Sequence, residues 1–290
     1  MPRPPVLRED EGMTRYLVVP QWQGSPSSRA MQLIDGAQAI AGDLPRTSTT
    51  VLEVPMEAGE SLGTGIHRLS ALQRVRGMVS EALDALAAAA PDEPVLTVGG
   101  DCGVALAPIA HAARRSPGLA VVWIDAHPDL NSAETSPSGA FAGMVLRAVL
   151  GDGDPGLSLP AGTVGAHRVV LGGTRSFDDP ELETMASLGI PALDVAALRE
   201  ADALADAVLA TGADAVYIHI DIDALDPAEI AGNAHPEPFG VTVAELAAAI
   251  ARVRERVPLV GASLAGYSPA SAASATDDLG PILRVIGALA

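Results

Sequence analysis

The amino-acid sequence predicts a three-layer α/β/α fold, in which a mainly parallel central sheet lies between helices on both faces. Short apolar runs rich in β-branched residues alternate along the chain with longer stretches of helical periodicity. The short runs are apolar at nearly every position, which indicates strands buried on both faces, as in parallel sheets. With 290 residues, 48% of them hydrophobic, the chain is long enough to build a large core.

The predicted elements follow one another in a regular order. The first 13 residues are polar and proline-rich, so we predict a flexible tail over residues 1–15 and a single domain over residues 16–290. Strands are predicted within residues 15–22, 49–56, 93–100, 119–127, 168–174, 190–195, 215–223 and 258–268. Helices are predicted between them, most clearly at 28–42, 67–90 and 245–257. Glycine- and proline-rich segments at 136–141, 151–162 and 231–240 are predicted to be loops at the ligand-binding edge of the sheet.

Charge and cysteine content limit the classes of function. The 36 acidic and 18 basic residues give a net charge of −18, which argues against nucleic acid or an anionic membrane as a partner. This charge suits a cationic small-molecule substrate, and it is also typical of acidic surfaces that keep a protein soluble. The single cysteine excludes an intrachain disulfide, and no apolar run is long enough to span a membrane. We therefore expect a cytoplasmic protein.

Acidic residues accumulate where three of the predicted strands end. The segments are GGDC at 99–102, WIDAHPDLN at 123–131 and HIDIDALDP at 219–227. Asp125, His127 and Asp129 follow one another at intervals of two, as do Asp221 and Asp223, so in extended backbone each set points to one side. One aspartate at a strand end is commonly the cap of the next helix, but this explanation does not account for the whole group.

Carboxylates that converge in this way repel one another unless cations neutralise them. Two divalent ions about 3.5 to 4 Å apart, bridged by carboxylates, are the usual arrangement where so many acids meet. A mixture of carboxylate and imidazole ligands suits Mn²⁺, Fe²⁺, Co²⁺ or Zn²⁺ better than Ca²⁺ or Mg²⁺. The sequence therefore predicts a dinuclear metal site.

The three motifs resemble, in order and in separation, the metal motifs of the arginase, agmatinase and formiminoglutamase family, the ureohydrolases. The likeness runs from about residue 16 across almost the whole chain. It implies an arginase-like fold, a homo-oligomer of three or six chains, and two divalent ions. Mn²⁺ is the first expectation for these ions, with Zn²⁺, Fe²⁺ or Co²⁺ as alternatives. The likeness also implies a hydrolase that cleaves a C–N bond of a guanidino or amidino substrate with a metal-bridging hydroxide as the nucleophile.

The resemblance also implies roles for individual residues. One ion would be bound by Cys102, Asp125, Asp129 and Asp221, and the other by Asp125, His127, Asp221 and Asp223. Asp129 would position the hydroxide. His235 stands where the family has a small hydroxyl residue that lines the pocket, so it could donate a proton to the leaving amine; an exposed loop histidine is the alternative. The substrate-binding residues would be Asn131, Ser138, Asp178 or Asp179, and Glu181. The last three are explained equally well as the N-terminal cap of a helix.

Three positions depart from the family pattern. Cys102 stands where the family has histidine, Ala142 replaces a histidine that transfers protons in arginases, and Gly266 replaces a glutamate that binds the guanidinium. As a thiolate ligand, Cys102 would shift the metal preference of the site towards Zn²⁺, Fe²⁺ or Co²⁺. The alternatives are that Cys102 is a structural residue of the core or a catalytic nucleophile. The family branch that hydrolyses N-hydroxyarginine resembles this chain in its cysteine and in lacking the proton-shuttle histidine.

Three functions remain open at this point. The first is hydrolysis of a guanidino or amidino compound, with a less basic substrate or with another acid in place of the missing glutamate. The second is a metal-binding family member that has lost turnover and serves as a binding or structural subunit, and the third is hydrolysis of an unrelated amide or amidine. His219, next to the last acidic pair, is expected to point away from the metal ions.

Overall fold

The computed structural model describes residues 14–91, 93–200 and 202–290, and within them it confirms the predicted parallel sheet. The strands are β1 (Arg15–Val19), β2 (Thr49–Val51), β3 (Val95–Gly99), β4 (Leu119–Ile124), β5 (Val169–Gly172), β6 (Ala192–Leu193), β7 (Ala215–Asp221) and β8 (Leu259–Ala265). They form one sheet in the order β2-β1-β3-β8-β7-β4-β5-β6, and each neighbouring pair is parallel. All eight predicted strands are thereby confirmed, each somewhat shorter than its apolar run.

Helices connect the strands, as parallel pairing requires. They are α1 (Gln32–Asp43), α2 (Leu69–Ala89), α3 (Leu106–Arg115), α4 (Val145–Val149), α5 (Asp179–Leu188), α6 (Val195–Leu198), α7 (Ala203–Ala210), α8 (Val243–Arg256) and α9 (Ala272–Leu289). Several of them, including α6, α8 and α9, begin with a side-chain cap that the sequence encodes. Thr242 and Glu245, for example, form a reciprocal capping box at the start of α8.

The sheet separates two apolar cores, which confirms the three-layer arrangement. Successive residues of β4 point to opposite faces of the sheet. Val122 belongs to the core under α1, α7, α8 and α9, whereas Trp123 belongs to the core under α2, α3 and α4. On the second face, α2 presents a buried stripe at intervals of three and four residues, including Leu72, Val75 and Val79. Both faces of the central strands are buried, as their continuous apolar sequences indicate.

The order of the strands brings the acidic motifs together. Strands β3, β8, β7 and β4 are neighbours, and because they are parallel, the segments that follow them meet at one edge of the sheet. The predicted loops at 136–141 and 231–240 both contribute residues to the cavity at this edge.

The predicted tail lies outside the described residues as far as residue 13, and β1 already begins at Arg15. One continuous sheet supports the prediction of a single domain over residues 16–290. Among the described residues, no helix combines the length and apolar character needed to cross a membrane.

Candidate metal centre

The predicted ligands lie at the carboxyl ends of adjacent strands. Cys102 begins a short 3₁₀ helix just after β3, Asp125 directly follows β4, and Asp221 is the last residue of β7. Asp223 lies two residues after Asp221, in the 3₁₀ helix that follows β7. These side chains are buried, so the site is built into the end of the core.

Backbone amides fix the orientation of three of the carboxylates. Asp125 Oδ1 accepts a hydrogen bond from His127 N (2.7 Å), and Asp221 Oδ1 accepts one from Asp223 N (2.9 Å). Asp223 Oδ1 accepts one from Ala126 N (3.0 Å). In each carboxylate one oxygen is held by the backbone, which leaves the other oxygen to interact with the remaining side chains of the site.

The thiol and the imidazole contact the second oxygens of Asp221 and Asp223, and the imidazole also approaches the backbone-held Oδ1 of Asp125. The Cys102 thiol donates to Asp221 Oδ2 at 2.8 Å and lies 4.0 Å from Asp125 Oδ2. His127 Nδ1 lies 3.0 Å from Asp223 Oδ2 and 3.4 Å from Asp125 Oδ1. Asp125 thus lies between a thiol side and an imidazole side of the site, which suits a residue shared by two ions.

Asp129 contributes an unsatisfied acceptor. It is buried, and its Oδ2 has no hydrogen-bond partner among the described residues. Its backbone has a φ of +52°, in the left-handed region that non-glycine residues adopt at an energetic cost. Strain of this kind, combined with a buried oxygen that lacks a donor, is typical of a functional position.

The electrostatics of the metal-free site are unfavourable for the charged carboxylates. Burial, reinforced by neighbouring carboxylates, raises the pKa of Asp221 and of Asp223 to about 7 and that of Asp129 well above its usual range. Burial and the nearby carboxylates also raise the pKa of the Cys102 thiol. Burial disfavours the charged form of His127, but its hydrogen bonds with Asp125 and Asp223 outweigh this and raise its pKa to about 12.

These residues fit divalent metal ions. The single imidazole of His127 faces four buried carboxylates, and Arg175, which reaches this edge, donates to the backbone carbonyls of Asp223 and Glu237 rather than to carboxylates. Divalent ions would neutralise the charge, and Asp129 Oδ2 could then act as a ligand. The thiol, imidazole and carboxylate donors together suit Zn²⁺, Co²⁺, Fe²⁺ or Mn²⁺.

The ligands open into a cavity of about 170 Å³ that also contains the predicted substrate-binding residues. Asn131 Nδ2 donates to Asp178 Oδ2 at 2.8 Å, and exposed Ser138 lies at the cavity wall. Both oxygens of Glu181 already accept backbone hydrogen bonds, from Leu130 N and Asp178 N, each at 3.0 Å. Larger cavities lie elsewhere on the molecule, so the chemistry of its lining distinguishes this one rather than its size.

Comparison with known proteins decides the family. The Arginase family model matches residues 24–283 of the chain. The chain belongs to the arginase family. It is 34% identical over 235 residues to an arginase of Bacillus caldovelox, covering 75% of this chain and 76% of that one. It is 31% identical over 274 residues to an N(omega)-hydroxy-L-arginine amidinohydrolase of Streptomyces lavendulae, covering 91% of this chain and 93% of the relative.

The fold agrees with this membership. The crystal structure of the Bacillus caldovelox arginase matches 95% of this chain and 97% of its own with a TM-score of 0.80 at 26% identity. The predicted arginase-like α/β fold is therefore confirmed. The individual ligand and substrate-binding roles stay predictions, which the convergence of their side chains supports.

One departure from the arginase-family pattern, Gly266, has a structural explanation. Gly266 has a φ of +89°, and a Cβ atom at this position would overlap Asp221 Oδ1, so a glutamate cannot be accommodated without displacing Asp221. Ala142 lies at the cavity wall, as does His235, which comes from the loop at 231–240. His235 is exposed to solvent, and partial desolvation at the cavity wall together with the charge of His127 lowers its pKa.

For two other residues at this site the sequence-based expectation was wrong or absent. The expectation that His219 points away was wrong, because residues 219 and 221 are two apart in β7 and share a face of the sheet. One ring nitrogen of His219 lies within 4.8 Å of Cys102 Sγ and of a carboxylate oxygen of Asp125. Glu237 Oε1 lies 3.8 Å from His127 Nε2, and no sequence motif marks this loop residue.

Proposed function

We propose that this protein is a dinuclear-metal hydrolase that cleaves a C–N bond of a guanidino or amidino compound. The observation that carries this proposal is the group of four buried carboxylates, the Cys102 thiol and the His127 imidazole around a cavity, with no compensating lysine in the sequence. The amidinohydrolase and arginase relatives support the reaction type. Two bound divalent ions, Mn²⁺ or the softer Zn²⁺, Fe²⁺ or Co²⁺, would lower the pKa of water and make it nucleophilic at neutral pH.

The proposal assigns a task to each part of the site. Cys102, Asp125, Asp129 and Asp221 would hold one ion, and Asp125, His127, Asp221 and Asp223 would hold the other. The unpartnered Asp129 Oδ2 would accept a hydrogen bond from the attacking water and so orient it towards the substrate carbon. Because backbone amides already fix Asp125, Asp221 and Asp223, the ligands are preorganised.

The far side of the cavity would bind the substrate's polar end. Asn131 and Ser138 are suited to a carboxylate, and Asp178 to an ammonium group. Glu181 would act through Asp178, because its oxygens are taken by the backbone amides of Leu130 and Asp178. His235, at the cavity wall, would protonate the leaving amine in place of the missing family histidine.

We further propose that the substrate is an N-hydroxyguanidine. Gly266 removes a charge-assisted hydrogen bond to a guanidinium, commonly worth about 1.5 to 3 kcal/mol. An N-hydroxyguanidine is less basic and depends less on this contact. The relative that acts on N-hydroxyarginine aligns with 91% of this chain, which supports the same choice. The products would be the free amine and N-hydroxyurea.

The alternative function is a metal-binding subunit without turnover. Ala142 and Gly266 favour it, because each removes a side chain that assists catalysis in the family. The complete set of acidic ligands opposes it, since a purely structural role does not require an unpartnered carboxylate oxygen at Asp129. We also propose that the protein is cytoplasmic and that it forms a homo-oligomer of three or six chains. Light scattering of the purified protein tests the number of chains.

The test is a substrate panel. The protein is loaded in separate samples with Mn²⁺, Zn²⁺, Fe²⁺ or Co²⁺ and assayed for urea or N-hydroxyurea release from arginine, agmatine, guanidinobutyrate and N-hydroxyarginine. We expect kcat/KM for N-hydroxyarginine to exceed that for arginine by at least about tenfold. Asp129→Asn serves as the inactive control. Bound metal without turnover of any substrate would favour the binding subunit and refute the hydrolase.

A further inference from the structure

His219 occupies an unusual place for a histidine. It is fully buried in β7, two residues before Asp221 and on the same face of the sheet. Its Nδ1 lies 2.8 Å from Ser263 Oγ on the neighbouring strand β8. Its Nε2 is buried and has no hydrogen-bond partner among the described residues. A buried polar atom is normally paired, so this nitrogen requires an explanation.

The surroundings hold the ring in one orientation. The ring stacks on Trp123 of β4, with centroids 3.8 Å apart and planes inclined by 32°. Trp123, His219 and Ser263 are direct partners across three adjacent strands. The stack on Trp123 fixes the plane of the ring, and the contact with Ser263 fixes its rotation within that plane. Because both restraints act on the same ring, the direction in which His219 Nε2 points is fixed.

That nitrogen belongs to a group of potential ligands. A ring nitrogen of His219, Cys102 Sγ and a carboxylate oxygen of Asp125 lie within 4.8 Å of one another. A second such group contains Asp125, His127 and Asp223, and the two groups share Asp125. Nδ1 of His219 contacts Ser263 Oγ, whereas Nε2 has no partner among the described residues and is therefore the nitrogen that is available to a metal ion.

We propose that His219 is a ligand of the ion that Cys102 and Asp125 bind, through Nε2, and that Ser263 Oγ accepts the proton of Nδ1 and so fixes the tautomer. This inference rests on the dinuclear centre of the proposed function. Metal-binding histidines generally donate their other ring N–H to an acceptor, which is the task of Ser263 here. The imidazole that the family pattern supplies at position 102, after β3, would then come from β7, two strands away in the sheet.

The donor sets of the two ions would consequently differ. The ion beside Cys102 would have a thiolate and an imidazole in addition to its carboxylates, whereas the ion beside His127 would have an imidazole and carboxylates only. Sulfur and nitrogen donors favour Zn²⁺, Co²⁺ or Fe²⁺ over Mn²⁺. The position beside Cys102 is therefore expected to select the softer ion when both are offered.

The experiment uses Co²⁺ as a spectroscopic probe of the full-length protein. The metal-free protein is titrated with Co²⁺ while the thiolate-to-cobalt band and the visible cobalt bands are recorded, and bound cobalt is measured after dialysis. His219→Phe keeps an aromatic ring against Trp123, and His219→Gln keeps a polar side chain. His111→Phe, at a half-buried position in α3, is the control for the loss of a histidine.

We expect both His219 variants to bind the cobalt beside Cys102 at least about tenfold more weakly, with a weaker thiolate band, while the second ion is retained. Ser263→Ala should weaken the same ion by a smaller factor, and His111→Phe should leave both unchanged. Unchanged affinity and spectra in the His219 variants would overturn the inference. If the wild-type protein binds no cobalt, the proposed function itself fails, which is a different outcome.

A second measurement does not depend on the folding of any variant. In proton NMR of the cobalt-loaded wild-type protein, each metal-bound histidine contributes one strongly shifted, exchangeable imidazole N–H signal. The inference predicts two such signals, from His127 and His219, and slow exchange for the proton held by Ser263. A single signal would show that His219 only packs against Trp123.

Discussion

Asp221→Asn is expected to stabilise the metal-free protein, and more at pH 8 than at pH 5. Burial, with Asp223 nearby, raises the pKa of Asp221 from 3.8 to about 7. Each pKa unit corresponds to about 1.4 kcal/mol, so ionised Asp221 is disfavoured by about 4 kcal/mol in the folded state. The asparagine carries no charge and still offers an oxygen to the amide of Asp223.

The sign of the pH dependence follows from linkage. Because the folded-state pKa of Asp221 lies above the unfolded value, its contribution to stability is fully present below about pH 4 and is lost as the pH rises through 7. At pH 5 the raised pKa of Asp221 destabilises the folded state by only about 2 kcal/mol, whereas at pH 8 the full destabilisation of about 4 kcal/mol is present. Asp221→Asn should therefore stabilise the metal-free protein by about 2 kcal/mol more at pH 8 than at pH 5.

Urea unfolding measures this difference. Metal-free wild type and Asp221→Asn are compared at pH 5 and pH 8, with Asp43→Asn as the control because Asp43 is exposed at the end of α1. With saturating Zn²⁺ or Mn²⁺ the order should reverse, since the wild type gains binding free energy that the variant loses. An equal effect of Asp221→Asn at both pH values would refute the electrostatic reasoning.

Three further outcomes are expected. By metal analysis, Cys102→His should keep two bound ions and Cys102→Ala should lose one. If the alanine variant keeps both ions, Cys102 is a packing residue and not a ligand. Gly266→Ala should lower the free energy of unfolding by about 1 to 3 kcal/mol and disturb metal binding through Asp221, and wild-type stability in urea would contradict this. Glu237→Gln should weaken metal binding about tenfold by loosening His127, as competition with a chelator measures, and no change would exclude this role.

The sequence predicted the sheet and the main ligands for clear physical reasons. Continuous apolar runs identify buried parallel strands, and an aspartate at the end of such a run must lie at the edge where the strands end. Asp125 and Asp221 were therefore predictable as neighbours, although they are far apart along the chain. Their convergence in the structure agrees with the metal motifs of the family.

Other features depend on tertiary contacts that the local pattern does not contain. Glu237 reaches His127 because Arg175 holds the carbonyls of Glu237 and Asp223, a contact between two loops. The left-handed backbone of Asp129 is likewise not visible in its motif. The position of His219, in contrast, was predictable from its interval of two residues to Asp221, and the expectation failed because the alternation was assigned to the wrong face.

The number of metal ions that the purified protein binds shows whether the site is a dinuclear centre. Mass-spectrometric metal analysis of the protein loaded with Mn²⁺, Co²⁺ or Zn²⁺ and then dialysed should give two ions per chain for the wild type. Asp125→Asn should hold at most one ion, because Asp125 belongs to both groups of potential ligands. Wild-type protein without bound metal, or an Asp125→Asn variant with two bound ions, would exclude a dinuclear centre that Asp125 bridges.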